Sequence, residues 1–246
     1  ETGSITAIDD ATFDIMENEF VCILGPSGCG KSTLLFVLAG LVSPSGGKVL
    51  MDGVPIEGAG RERAVIFQED ATFPWFTVRS NVEYGLRVQG VSPSKRRAIT
   101  DHYLEVVGLE DVADLYPKEL SGGMKKRVDI ARAFANDPEV LLMDEPFGML
   151  DVMTKSALQR EVARMYLEEK KTIVFVTHDL EEALFLSDRM VLMTARPSRI
   201  ARVMENPLPM PRDEMMKTSS EFQKLRRELM QFFTSEGSEE RRFRTV

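Results

Sequence analysis

One nine-residue stretch has the most specific spacing in the chain, and its residues are Gly25, Pro26, Ser27, Gly28, Cys29, Gly30, Lys31, Ser32 and Thr33. They match the pattern G-x-x-x-x-G-K-[ST]. Glycines let backbone N–H groups approach phosphate oxygens closely, and a helix that follows adds the positive end of its dipole. Lys31 can reach the β- and γ-phosphates, and the Ser32 hydroxyl can bind Mg²⁺. The stretch therefore predicts a site for a nucleotide's phosphates.

Two adjacent carboxylates, Asp144 and Glu145, follow the apolar run 140–143. Taken alone, an apolar run that ends in Asp-Glu is often only the end of a strand. Here the run comes after a phosphate loop, and such folds place catalytic groups where a strand ends at the phosphate site. We therefore expect Asp144 to hold Mg²⁺ and Glu145 to act as general base toward an attacking water.

A second phosphate-binding feature starts at Ser121, Gly122 and Gly123, which open a helical pattern. Ser121 is a good N-cap residue, and a helix N-terminus favours anions. The pattern leaves two interpretations open. Either Ser121 caps an ordinary helix, or the helix closes on a nucleotide held by another copy of the chain.

The elements that must position these residues follow from the hydrophobic pattern. Strands are predicted over 4–15, 20–24, 47–51, 64–67, 140–143, 172–177 and 190–193. The region 78–136 has a helical pattern with breaks at Gly108 and Pro117, and helices are also expected over 34–39, 153–170 and 220–233. Residues 206–211 form a proline-rich, extended linker. A parallel sheet interrupted by a helical insertion is the simplest arrangement.

Composition limits the function classes. The net charge of −8 over 246 residues argues against nucleic-acid binding, which favours a basic face. No segment approaches the ~18 apolar residues that a membrane-spanning helix needs, and the N-terminus does not resemble a signal peptide. The two cysteines, Cys22 and Cys29, give no disulfide framework. We expect a cytosolic protein.

Taken together, the motifs resemble the ATP-hydrolysing subunit of ATP-binding-cassette (ABC) transporters. In the order of that family, over about residues 4–204, the matching stretches are the phosphate loop, Gln68, Leu120-Ser121-Gly122-Gly123, Asp144-Glu145-Pro146, Leu150-Asp151 and Thr177-His178-Asp179. The resemblance implies an α/β fold of the P-loop NTPase (RecA-like) class. It has a parallel-sheet core, an N-terminal antiparallel β subdomain and an inserted helical subdomain over about 78–136. The ATPase domain would span 1–204, and a linker with a C-terminal helix and tail would span 205–246.

The resemblance also implies specific roles for the site residues. ATP and Mg²⁺ would be the cofactors, and two subunits would pack head to tail. Ser121 and Gly123 of one subunit would then cover the γ-phosphate held by the other, and Asp151 would join the two sites. Gln68 would bind Mg²⁺ and sense the γ-phosphate, which His178 would contact.

The sequence departs from the family pattern in three ways. Met124 stands where most members have Gln, and Gly148-Met149 replaces the more usual Ser-Ala. The family's adenine-stacking aromatic precedes the first strand, and no aromatic residue precedes Ile5, so we expect that residue upstream of Glu1.

An aromatic loop, Phe73-Pro74-Trp75-Phe76, closely follows Gln68. Such a loop can plug a core or line a binding groove. In the family this region receives a cytoplasmic helix of the membrane subunit. Together with Met124 and the stretch 195–200, it resembles the branch that imports nitrate, sulfonates and taurine. The resemblance implies a peripheral subunit at the cytoplasmic side of the inner membrane, bound to permease subunits and served indirectly by a solute-binding protein. The alternatives are a soluble cassette ATPase and, with less support, a P-loop kinase.

Overall fold

A computed structural model describes the backbone of residues 5–243 and the side chains of residues 5–235. The strands in chain order are β1 Ile8–Asp10, β2 Phe20–Leu24, β3 Leu50–Met51, β4 Val54–Pro55, β5 Arg63–Ile66, β6 Val140–Asp144, β7 Thr172–Thr177, β8 Arg189–Met193 and β9 Ser198–Glu205. The helices are α1 Lys31–Leu38, α2 Val78–Val88, α3 Pro93–Val106, α4 Gly122–Ala135, α5 Val152–Glu169, α6 Leu180–Leu186 and α7 Ser220–Phe243. The chain divides into one unit of Glu1–Gly60 with Lys170–Val246 and a second unit of Arg61–Glu169.

The first unit is built on five strands in the order β1-β9-β8-β2-β7. β2 is buried at all five positions and pairs in parallel with β7 on one side and β8 on the other. A strand covered on both faces needs an uninterrupted apolar run, which Phe-Val-Cys-Ile-Leu supplies. β9 is antiparallel to β8 and parallel to β1. The predicted α/β class with a mostly parallel sheet is confirmed.

The edge of this sheet differs from the prediction. Within the described part of the predicted strand 4–15, the strand is limited to Ile8–Asp10, which pairs with β9 at the sheet edge through a shifted register. β9 itself was not predicted, since Ser198–Glu205 has many charged residues and five of its eight positions are exposed. Such a sequence is typical of an edge strand, which carries charges to discourage further pairing.

A separate antiparallel pair, β3 and β4, forms the predicted antiparallel element. The turn between them is Asp52-Gly53, and both residues have positive φ, 51° and 80°. This is the backbone of a two-residue hairpin turn, for which Asp-Gly is a preferred sequence.

The second unit contains the parallel pair β5–β6 and helices α2 to α5. Its helical core is formed by apolar residues spaced along α2, α3 and α4, among them Val78, Val82, Leu104, Val128 and Ala131. The predicted helical region 78–136 thus consists of three helices, and two short 3-10 turns, Glu110–Val112 and Pro117–Glu119, lie between α3 and α4. The domain boundaries of the sequence analysis remain predictions.

The predicted linker is held more firmly than its composition indicates. Asn206 Nδ2 donates to the Leu184 and Ser187 carbonyls at 2.9 and 2.8 Å. Arg212 donates to the Phe185 and Ser187 carbonyls at 3.2 and 2.7 Å. These carbonyls lie at the C-terminal end of α6, where backbone acceptors have no partner within the helix. The linker therefore caps α6 before α7 begins.

Helix α7 packs on the first unit by its apolar face and by ion pairs. Phe222 and Leu229 are buried, Arg226 pairs with Glu181 at 3.0 Å, and Arg202 pairs with Glu228 at 3.0 Å. Within residues 5–243, no helix combines the length and apolar character needed to cross a membrane.

Glycine is required where α1 ends. Gly40 has a φ of +72°, and a Schellman motif forms as Gly40 N donates to Val37 O at 3.1 Å and Leu41 N to Phe36 O at 2.9 Å. A Cβ on Gly40 would lie 2.1 Å from the Gly58 carbonyl oxygen. Gly47 has nearly the same φ, +75°, but open space around it.

These two glycines make a matched pair for testing the packing. Gly47→Ala should lower the free energy of unfolding by about 1–2 kcal/mol, the cost of a left-handed conformation. Gly40→Ala should cost roughly 1–3 kcal/mol more, because the backbone of Gly58 must also move. Urea unfolding of both variants measures the difference, and equal losses would show that the close approach at Gly58 is wrong.

Candidate functional site

The phosphate loop occupies residues 25–30, between β2 and α1. Gly28 and Gly30 have φ values of +76° and +112°, which L-residues with side chains rarely adopt. A Cβ on Gly30 would lie 3.3 Å from the Ile8 side chain, and one on Gly25 would lie 2.8 Å from Cys29 Sγ. Both conformation and space therefore require glycine here. Gly30, the N-cap of α1, supplies no side-chain cap, which leaves the first N–H groups of the helix suited to bind an anion.

Lys31 lies inside the loop and is only 5% exposed. Its Nζ donates to the Gly25 carbonyl at 2.9 Å and to the Pro26 carbonyl at 3.1 Å. The ammonium group is thus held over the first turn of the loop, among the backbone groups that would surround a phosphate.

Both cysteines are buried. Burial raises the pKa of the Cys22 and Cys29 thiols above their usual value. The thiols therefore stay protonated at neutral pH, and Cys29 fills the inner side of the loop as a small apolar group.

His178 follows the fully buried strand β7 and is exposed. The residues on either side hold its backbone in place. Thr177 Oγ1 donates to Glu182 Oε2 at 2.5 Å and accepts from Asp179 N at 3.0 Å. Asp179 caps α6 by accepting from the backbone N–H groups of Glu181 and Glu182. His178 therefore projects from a rigid turn between a strand end and a helix start.

His178 and the phosphate loop meet at one cavity of about 420 Å³. Gly25 and Pro26 line it from the loop, and Met230, Phe233 and Thr234 line it from α7. The structure thus places two of the predicted site elements, separated by about 150 positions in the sequence, at the same opening of the first unit.

In the second unit, the pairing of β5 with β6 brings Gln68 and the two carboxylates to one edge. The register joins Ile66 to Met143. Gln68 follows β5 and is exposed, while Asp144 ends β6 and is 4% exposed. Because the strands are parallel and about 4.8 Å apart, the residues just after Ile66 and Met143 leave the sheet side by side.

Glu145 has a left-handed backbone, with a φ of +41°. A non-glycine residue in this region costs of order 1–3 kcal/mol, and such residues cluster at functional sites. Its carbonyl accepts from Gly148 N at 3.1 Å, which closes a tight turn directly after β6. Glu145 itself is half-buried.

Asp151 lies at the start of α5 and caps it. Its Oδ1 accepts from the backbone N–H groups of Met153 and Thr154, both at 3.1 Å. The hydrogen bonds from Thr154 hold the pKa of Asp151 below its usual value. Met149, Val152 and Met153 are each more than three-quarters exposed, so the carboxylate lies within an exposed apolar surface.

Ser121 caps α4, with its Oγ accepting from Met124 N at 3.3 Å. The two glycines after it differ in their surroundings. A Cβ on Gly123 would lie 2.6 Å from Thr154 Cγ2, so the approach of α5 requires glycine there. A Cβ on Gly122 would meet nothing within 4 Å. The packing of the described residues therefore gives no reason for glycine at position 122.

The aromatic loop after Gln68 is an ordered surface cluster. Phe73, Trp75, Phe76 and Tyr84 form contacts with ring centroids 4.8–6.2 Å apart. Trp75 is 67% exposed. The loop is not a core plug, because its largest ring faces solvent.

Buried Asn81, which the sequence analysis missed, fixes the shape of this loop. Its Oδ1 accepts from Phe73 N at 2.7 Å, and its Nδ2 donates to the carbonyls of Phe73, Phe76 and Thr77 at 3.0–3.2 Å. Glu182 and Lys126 were missed in the same way. In a sequence, a polar residue on a helix is normally assigned to the solvent-exposed face. Only its position within the stripe of apolar residues on the buried face could have indicated burial.

The chemistry of the predicted metal ligands suits Mg²⁺. Ser32, Gln68 and Asp144 offer a hydroxyl, an amide and a carboxylate oxygen. Mg²⁺ prefers oxygen ligands and is commonly bound by one or two side chains together with substrate phosphates.

Comparison with known proteins identifies the family. A family model described as "ABC transporter" matches residues 8–148. A protein of Brucella abortus (strain 2308), whose name says only that it binds ATP, is 51% identical over 91% of this chain and 86% of its own length. The "Aliphatic sulfonates import ATP-binding protein SsuB" of Bacillus cereus is 42% identical over 96% of this chain and 92% of its own.

A solved structure agrees with these relatives. A dimeric ATP-binding cassette in a post-hydrolysis state, bound to ADP and Pi, superposes with a TM-score of 0.76 and 31% identity. The match covers 85% of this chain and 94% of that one. Family match, relatives and structure thus agree with the phosphate loop and its flanking elements, and the chain belongs to the ABC transporter family as an ATP-binding, ATP-hydrolysing subunit.

Proposed function

We propose that this subunit powers an importer for a small anion of the nitrate, sulfonate or taurine type. The observation that carries the proposal is the 42% identity, over nearly the whole chain, to an ATP-binding protein named for aliphatic sulfonate import. Met124 and the ordered aromatic loop, which the sequence analysis associated with that branch, support it. The subunit would bind its membrane partners as a peripheral protein.

Two copies would work as a head-to-tail dimer. A dimeric cassette is among the structures that this chain resembles at 31% identity. The exposed Ser121, the open space at Gly122 and the exposed apolar residues around Asp151 are the features expected where another copy approaches. Ser121, Gly122 and Gly123 would then cover the γ-phosphate held by the partner's loop, and Asp151 would connect the two sites.

Hydrolysis would use groups that the fold holds rigidly. The phosphate loop and Lys31 would bind the phosphates. Ser32, Gln68 and Asp144 would hold Mg²⁺, which would supply positive charge at the transferred phosphate. Glu145, held by the tight turn after β6, accepts a proton from the attacking water. His178 contacts the γ-phosphate from the turn after β7.

Lys31 tests the phosphate site. Lys31→Ala should lower ATP hydrolysis by about 100-fold or more and weaken ATP binding, because fixed charge at the phosphates is lost. The circular dichroism spectrum should stay unchanged. Lys48→Ala removes an exposed lysine from the same unit and should leave turnover and binding as in the parent. Near-normal turnover of Lys31→Ala would contradict the assignment.

Glu145 tests the general base. Glu145→Gln keeps size and hydrogen-bonding capacity but cannot accept the proton, so hydrolysis should fall by about 10²–10⁴-fold while ATP binding persists. Bound ATP should then hold two copies together, which size-exclusion chromatography with light scattering measures. The exposed Glu139 gives the control Glu139→Gln, with parental turnover and no stabilised dimer. A Glu145→Gln protein that stays monomeric and hydrolyses ATP at the parental rate would contradict both the general-base role of Glu145 and the ATP-dependent dimer.

Trp75 tests the coupling to membrane partners. An aromatic anchor in an interface commonly contributes about 2 kcal/mol or more, so Trp75→Ala should weaken co-purification with the permease subunits by roughly tenfold or more. The ATP affinity of the free subunit should change less than about twofold, since backbone contacts and Lys31 determine it. A soluble ATPase or a kinase predicts no such separation.

Val88→Ala is the matched control for Trp75→Ala. Val88 lies at the end of α2 and is 70% exposed, against 67% for Trp75, but it is not one of the four clustered rings. It should assemble as the parent does. Normal assembly of Trp75→Ala would show that the aromatic loop is not the docking surface.

A further inference from the structure

A buried ammonium group on α4 holds the segment 67–71, which contains Gln68. Lys126 is 3% exposed, and its Nζ donates to the carbonyls of Phe67, Gln68 and Glu69 at 2.8, 3.1 and 3.2 Å. An ammonium group has three protons to donate. All three are directed at consecutive carbonyls just beyond the end of β5.

The same face of α4 also holds the far end of the segment. Asp129, 2% exposed, accepts from Ala71 N at 3.2 Å, and Arg132 donates to Ala71 O at 2.8 Å. Arg132 and Asp129 pair at 2.9 Å. Lys126, Asp129 and Arg132 recur every three residues, so they lie along one side of the helix. The segment is therefore attached to α4 at both ends.

Buried charges of this kind contribute little net stability to a fold. Lys126 and Asp129 are 3% and 2% exposed, and taking charged groups out of water costs free energy that their mutual attraction only partly returns. Replacing a buried ion pair by well-packed apolar residues is often neutral or stabilising. What apolar residues cannot do is fix consecutive backbone carbonyls in one geometry, because they have no directed donors.

We propose that Lys126, with Asp129 and Arg132, is a positioning residue that holds Gln68 on the helix opened by Ser121, so that both move as one body. The proposal rests on the proposed function, in which Gln68 is a ligand of Mg²⁺ and Ser121 covers a γ-phosphate. Lys126 contacts the backbone carbonyls of this segment and influences hydrolysis only by fixing the position of Gln68.

The attachment continues into the aromatic loop. Arg132 lies over the Phe73 ring at 5.1 Å, and Asn81 holds both the N–H and the carbonyl of Phe73. A partner that presses on the loop therefore acts on a segment already fixed to α4. Displacement of the loop would move Gln68 and the N-terminus of α4 together rather than separately.

The central variant is Lys126→Met, which keeps the length of the side chain and removes its donors. Hydrogen–deuterium exchange at residues 67–71 should become about tenfold faster, since hydrogen bonds from a charged group are lost. The Mg²⁺ concentration at half-maximal ATPase activity should rise by a similar factor. Nucleotide affinity without Mg²⁺ should change less than about twofold, because the phosphate loop is untouched.

Lys125→Met is the matched control on the same helix. Lys125 pairs with the Asp70 carboxylate at 3.3 Å, and both side chains are partly exposed. Such pairs contribute little, so all three measurements should stay within about twofold of the parent. Lys126→Arg retains a charge and several donors, so its Mg²⁺ concentration at half-maximal ATPase activity should return most of the way to the parent value. If Lys126→Met behaves as Lys125→Met does, the proposal is wrong.

A double-mutant cycle with Gln68→Ala separates this proposal from the proposed function. If Lys126 acts through Gln68, the double variant should have the Mg²⁺ dependence of Gln68→Ala alone. Additive effects would overturn the positioning role. If Gln68→Ala leaves Mg²⁺ dependence unchanged, the proposed ligand role of Gln68 fails, and exchange at 67–71 still decides whether Lys126 holds the segment.

Arg132→Met is the variant to use if Lys126→Met does not fold. It loses one carbonyl contact, so it should show the same changes to a smaller extent. Parental values for Arg132→Met would refute the proposal.

Discussion

The pairing of β2 with β7 and β8 is the constraint on which the phosphate site depends. β2 is buried along its whole length, and its register with both neighbours is continuous. Because the three strands are parallel, the loop after Leu24, the turn after Thr177 and the chain after Met193 leave the sheet at one edge. A one-residue slip would turn every side chain of β2 to the opposite face. The apolar sequence of these strands thus determines where His178 and the loop meet.

The second unit relies on buried polar side chains where the first relies on apolar strands. Asn81, Lys126 and Asp129 are at most 3% exposed, and each contacts backbone groups of the chain between β5 and α2. That stretch has no regular structure of its own, so its N–H and C=O groups need partners from elsewhere. Side chains supply them, and an irregular loop becomes as well defined as a strand. The proposed docking surface and the proposed Mg²⁺ ligand Gln68 therefore lie on one short loop of defined shape.

The sequence predicted best those parts in which one local pattern decides the outcome. β6, β7 and the phosphate loop lie where apolar runs and glycine spacing placed them, and the α/β class followed. β9 was missed because Arg199, Arg202 and Glu205 interrupt its apolar pattern and most of its positions are exposed. Lys126 and Asp129 were missed because the run of charges at the start of α4 is indistinguishable, in sequence, from a solvated helix face. Asn206 and Arg212 were missed because their acceptors, the last carbonyls of α6, belong to every helix and leave no signal in the sequence.

The packing of the described residues does not require glycine at position 122. Alanine is generally a better helix former than glycine, and the space at position 122 would accept its methyl group. A design procedure that optimised the isolated subunit would therefore introduce alanine and score the change as an improvement. Glycine at this position therefore brings no benefit that the packing of the described residues shows. Under the proposed function its benefit would lie in the assembled, nucleotide-bound state, and stability and assembly would then favour different residues at this one position.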